Sequence, residues 1–118
     1  MAIAILFVSL IVPLPSYAID PPYQDQMERL TRVLGSLYFL QPLCGESAAN
    51  WRNEAAELIE LDEPSIDRRE RLVGAFNQGY QDYARLFTQC TGPARTALSR
   101  LLQEAQSAAR DIHARFAE

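Results

Sequence analysis

The sequence predicts an all-α protein: a small up-down bundle of about four helices, one of them short, stapled by one disulfide. Three observations predict it. Apolar residues recur at spacings of three and four in successive segments, prolines and glycines punctuate those segments, and no stretch alternates apolar and polar residues as a half-buried strand would. At 118 residues the chain holds one domain, since a domain takes roughly 100–200 residues.

The first eighteen residues are expected to stand apart as a signal peptide. An apolar run from Ile3 to Val12 is followed by Pro13 and Pro15, then by Ser16-Tyr17-Ala18. The run falls within the roughly 7–15 residues of a signal-peptide core and short of the roughly 20 that cross a bilayer as a helix. Small side chains at Ser16 and Ala18 suit a signal peptidase, so cleavage between Ala18 and Ile19 is expected. That leaves residues 19–118 as a single helical domain in the periplasm, with no stable membrane span. No Cys follows the junction, so no lipid anchor is expected; no Lys or Arg precedes the run, which points to a start upstream of Met1.

The part from Ile19 onward carries all fifteen acidic and all eleven basic residues, for a net charge of −4. A nucleic-acid-binding domain would be basic, so no nucleic-acid partner is expected. In an oxidising compartment the two cysteines, Cys44 and Cys90, are expected to pair. Closing that loop contributes about 4 kcal/mol in the chain-entropy model.

The first helix follows Asp20-Pro21-Pro22 and sets Met27, Leu30, Leu34, Leu37, Gln41 and Cys44 on one stripe, widened by Val33, Tyr38 and Leu40. Pro42 and Gly45 are expected to end it, with Cys44 at or just past its C-terminus. A short second helix starts near Asn50, which can cap it, and runs through Trp51, Ala55, Leu58 and Ile59 to about Leu61. Pro64 stops it, and Asp62 or Ser65 can cap the next helix.

The third helix carries Val73, Phe76, Tyr80, Tyr83, Phe87 and Cys90, an aromatic seam that suits either a core or a pocket. Gly79 in mid-helix costs ~1 kcal/mol relative to Ala, so another helix is expected to approach closely there, and likewise at Gly35 and Gly74. After the turn Cys90-Thr91-Gly92-Pro93, Pro93 suits the first position of a fourth helix. That helix sets Ala94, Leu98, Leu101, Ala105, Ala108, Ile112 and Phe116 on one face. Short connections make consecutive helices antiparallel, so the first and third run the same way and bring both cysteines to one end. Bridged Cα atoms lie within about 7 Å whereas packed helix axes are ~8–10 Å apart. At least one cysteine must therefore lean inward from a helix end or loop.

No catalytic set assembles from these residue types, and no cofactor or metal is expected. His113 is the one histidine, too few with a disulfide-bonded cysteine pair to make a zinc site. No Cys-x-x-Cys-His occurs for haem attachment; Met27 and His113 are placed like the Met/His ligands of the b-type four-helix cytochromes, a remote alternative. The carboxylates Glu54, Glu57, Glu60, Asp62 and Glu63 would have to serve a second alternative, an enzyme or accessory factor acting on peptidoglycan, against the plainer reading of solvated charges flanking a helix end. In Asp67-Arg68-Arg69-Glu70-Arg71 the acids suit the positive end of the third helix and the arginines do not. That mismatch points to an exposed anion or partner contact, against the plainer reading of a solvated face.

Leu34-Gly35-Ser36-Leu37 leading to Pro42-Leu43-Cys44, then Trp51-Arg52, Phe76-Asn77-Gln78-Gly79-Tyr80 and Cys90-Thr91 resemble a small uncharacterised family of exported alphaproteobacterial proteins with two well-separated cysteines. The resemblance spans roughly Tyr23 to Ala97. It implies the Cys44–Cys90 pairing and an exported location, and it implies no activity. It marks Trp51, Arg52, Phe76, Asn77, Gly79 and Tyr80; of these Trp51, Arg52, Asn77, Gly79 and Tyr80 are the expected binding surface. The expected function is non-enzymatic: an envelope protein that engages another protein or a cell-wall component through a helical face.

Overall fold

The computed structural model describes residues 3–6, 8–11, 19–45 and 49–116, and among these it holds four helices and no strand. They are α1 (Gln24–Leu43), α2 (Trp51–Asp62), α3 (Ile66–Ala84) and α4 (Gly92–Phe116). None is long and apolar enough to cross a membrane. Ala18 and the side chain of Phe116 lie outside the described residues.

Local chemistry sets most of the helix ends. The Asn50 side chain accepts from the amide of Asn53, and Ser65 accepts from the amide of Arg68, so each satisfies a donor that its helix leaves open. Thr91 does the same for Ala94 at the start of α4, with Pro93 in the first turn. At the end of α2, Glu63 takes a left-handed conformation (φ 47°) ahead of Pro64. Pro42 does not stop α1. It lies in the last turn, and the helix runs on to Leu43 before Cys44 caps it and Gly45 turns away at φ 70°.

The core is organised around α1. Met27, Leu30, Val33, Leu34, Leu37 and Leu40 are all buried, and so are Thr31, Gly35 and Ser36, so α1 is covered on most of its circumference. The other three helices pack against it, whereas α3 and α4 make no backbone approach to each other among the described residues. Of the polar groups on this helix, the Thr31 hydroxyl donates to the Met27 carbonyl, 2.6 Å away, whereas Gln26 Oε1 is buried without a hydrogen-bond partner among the described residues. α4 contributes Ala94, Ala97, Leu98, Leu101 and Ala108, close to the expected stripe.

Helices α1 and α3 run parallel. Gln24 at the start of α1 meets Arg68 at the start of α3, Ser36 meets Gly79 midway, and Cys44 meets Cys90 at the far end. The two backbones touch. A methyl group built on Gly35 would stand 1.9 Å from the Phe76 carbonyl oxygen, and one on Gly79 would stand 1.9 Å from that of Arg32. Ser36 Oγ bridges the crossing, donating to the Gly79 carbonyl at 3.0 Å. Gly74 departs from expectation: a methyl there would meet nothing within 4 Å.

The third helix also differs from its reading in length and in the face it buries. It ends at Ala84, so Phe87 and Cys90 lie beyond it, and its buried residues are Leu72, Ala75 and Gly79. With backbone in contact at Gly79, the small face goes inward and the bulky seam is displaced to the flanks of the crossing. Val73 is 45% exposed and Phe76, Tyr80 and Tyr83 are half-buried. The disulfide is Cys44–Cys90, with Cα atoms 4.9 Å apart. Both cysteines sit off the helix bodies, one as the cap of α1 and the other in the turn before α4, which removes the conflict with helix-axis spacing.

The arginines that open α3 belong to the fold. Arg68 donates to Asp62 and, at 2.8 Å, to Gln24 Oε1, while its guanidinium lies 5.9 Å from the centre of the Tyr23 ring; the Tyr23 hydroxyl donates to the same Asp62. Arg71 forks onto both oxygens of Asp20 and also reaches Asp67 at 3.0 Å. These contacts tie the segment before α1 to the start of α3, so Arg68 and Arg71 have internal partners, while Arg69 is exposed.

The Arg71 hydrogen bond holds the Asp20 carboxyl below its ordinary value. The pair therefore stabilises the fold above about pH 4 and ceases to as pH falls through the lower, folded-state value. The Asp20→Asn variant is expected to lose less of its melting temperature than the parent between about pH 6 and about pH 3. Equal losses in thermal melts would contradict this. Salt should narrow the difference, because the two side chains are 40% and 35% exposed.

Candidate functional site

The cleft lies between α2 and α3. Both helices rest on α1 and barely pack on each other, and in the middle of its wall α2 presents the small Ala55 and Ala56. The gap that results has a volume of about 550 Å³, within the range typical of ligand pockets. Its α2 wall follows helical spacing from Arg52 through Ala55 and Ala56 to Ile59. On the α3 side Val73, Asn77 and Gln81 form one row and Phe76 and Tyr80 the next, while Tyr38 comes from α1.

The aromatic residues form one contiguous group. The Tyr38 ring lies 5.8 Å from Phe76 and 5.7 Å from Tyr80, and Phe39 meets Tyr80 edge-on at 5.4 Å. These separations are those of favourable ring pairs. The residues expected to mark a binding surface divide here. Arg52, Asn77 and Tyr80 line the cleft. Trp51 instead packs on the core and donates its indole N–H to Gln41, and Gly79 is buried at the helix crossing.

Arg52 is the one charged residue lining the cleft, and no carboxylate lines it. Among the described residues, nothing pairs with its guanidinium. The neighbours that sequence reasoning passed over, Ala56 and Gln81, carry a signal: they share helix faces with Arg52 and Asn77 at spacings of four.

The other candidates are dispersed. Glu54, Glu57, Glu60 and Glu63 are exposed, and Asp62 is held by Arg68 and Tyr23. Its hydrogen bond and partial burial raise the Tyr23 hydroxyl above its ordinary value, keeping it a donor. Among the described residues no three His, Cys, Asp or Glu side chains group as a metal site. Met27 is packed with Ile59 and Leu72, and His113 is exposed.

No curated protein matches the chain, and no solved structure does. One family model matches, over residues 22–116, and it is described as a protein of unknown function, DUF2385. The match takes in all four helices, both cysteines and every residue of the cleft. The chain belongs to the DUF2385 family of proteins of unknown function.

Proposed function

We propose that this protein is exported to the periplasm, loses residues 1–18, and acts there as a non-enzymatic envelope protein that binds a protein or cell-wall partner through the α2–α3 face. The cleft carries the reading: it combines on one surface an aromatic group, amide side chains and an arginine without a partner among the described residues. Export is supported by the disulfide, which suits an oxidising compartment, and by the apolar leader, whose large apolar residues described between Ile3 and Ile11 are 74–88% exposed. The resemblance to exported alphaproteobacterial proteins points the same way. The alternative of a peptidoglycan-acting enzyme has less support, because its carboxylates are scattered over solvent or held in the Arg68 network.

Export predicts that intact protein from the periplasmic fraction begins at Ile19, by mass spectrometry, and that a leader still attached there would contradict it. For binding, a photo-crosslinking residue at the exposed Asn77 should capture a discrete partner that the same residue at the exposed Ser99 of α4 does not. Identical products from both positions, or none from Asn77, would count against the cleft.

A further inference from the structure

We propose that the α2–α3 cleft recognises a carboxylate attached to an apolar or aromatic body, with Arg52 receiving the carboxylate and the rings of Tyr38, Phe76 and Tyr80 receiving the body. The inference rests on the binding role given above and names the chemistry of the ligand.

Charge is the first argument. The chain is acidic overall, at −4, yet the cleft is lined by one cation and no carboxylate. Elsewhere Arg68 and Arg71 have acidic partners within the fold, whereas Arg52 has none among the described residues. A guanidinium on such a wall is a fork waiting for a planar anion. A single fork neutralises a single charge, which matches a carboxylate better than a doubly charged phosphate. Asn77 and Gln81 on the opposite wall add neutral donors for the same group.

Shape and polarity supply the second argument. Behind Arg52 the α2 wall is methyl groups and Ile59, and across from it stand Phe76 and the half-exposed Val73. These side chains offer nothing to a hydrated ion, so an inorganic anion would leave most of the cleft unused. A ligand with an apolar body removes that surface from water. Both a free small acid and the C-terminus of a hydrophobic peptide present this chemistry.

The test is a titration of the purified protein, followed by NMR shifts, with phenylbutyrate against phenylbutyramide and with the tripeptide Gly-Gly-Phe, N-acetylated, as free acid against C-terminal amide. The acid of each pair should bind about tenfold or more tightly than its amide, with shifts at Arg52, Asn77 and Tyr80. The pair with the larger preference identifies the source. Arg52→Gln should erase the preference while leaving the fold intact, and Arg95→Gln, on the exposed surface of α4, should leave it unchanged. Equal binding of acid and amide would overturn the carboxylate assignment and leave the cleft a binding site for neutral ligands, and a preference that survives Arg52→Gln would overturn Arg52 as the group that receives the carboxylate. No shift with any probe at millimolar concentration would overturn the assignment and the cleft's binding role together.

Discussion

Alanine at Gly79 is expected to destabilise the protein by about 3 kcal/mol, and alanine at Gly35 by a similar amount, whereas alanine at Gly74 stabilises it by about 0.5–1 kcal/mol. All three glycines lie inside helices, where alanine has the better propensity, so helix propensity alone assigns all three changes the same sign. Contact reverses two of them. At Gly35 and Gly79 the new methyl meets a backbone carbonyl 1.9 Å away, which no rotamer change relieves, so α1 and α3 must separate. Separation also stretches the Ser36 hydrogen bond to the Gly79 carbonyl and loosens the packing around Leu72 and Ala75. At Gly74 the methyl meets open space. Urea denaturation of the three variants at one pH measures the difference, and a Gly79→Ala protein as stable as Gly74→Ala would refute the backbone contact.

Removing the disulfide is expected to cost about 4 kcal/mol, seen as a lower urea midpoint for the Cys44→Ser/Cys90→Ser protein and for the parent under strong reductant. The bridge closes a separation of 46 residues and joins the end of α1 to the turn that launches α4. A domain of this size is stable by only ~5–15 kcal/mol, so the loss is a large share of the total. The bridged protein should weigh two protons less than the reduced one and show no alkylatable thiol before reduction. Unchanged midpoints would mean that the packing of α1 against α3 already holds this end closed. With no Cys-x-x-Cys and both sulfurs half-buried against the core, the bond reads as structural.

Helix number and most helix starts were legible because they depend on neighbours. Asn50, Ser65 and Thr91 each bond an amide three residues away, and Pro93 restricts only its own turn. The end of α3 was not legible. Phe87 and Cys90 prolong the apolar period past Ala84 because the turn they occupy also packs on the core. Periodicity reports burial there, and burial does not require a helix. The role of Arg71 was not legible for a different reason: it finds Asp20 51 positions away, a partner that no local pattern announces.

The candidate site was legible in part. Arg52, Asn77 and Tyr80 were marked by resemblance, and the aromatic seam was open to either a core or a pocket role. Trp51 and Gly79 were marked beside them, yet they serve packing. Sequence spacing places residues on a face of a helix but does not say which face another helix covers.

By itself the sequence determined four helices, most of their caps, their up-down order and the pairing of its only two cysteines, all consequences of short-range backbone chemistry and of a count of two thiols. Only the tertiary structure decided that α1 would be the central helix, that Gly35 and Gly79 but not Gly74 would be the points where α1 and α3 touch, and that Arg52 and Asn77 would line one cleft. Those outcomes depend on how closely two helices approach, which is set by the contact of residues more than forty positions apart.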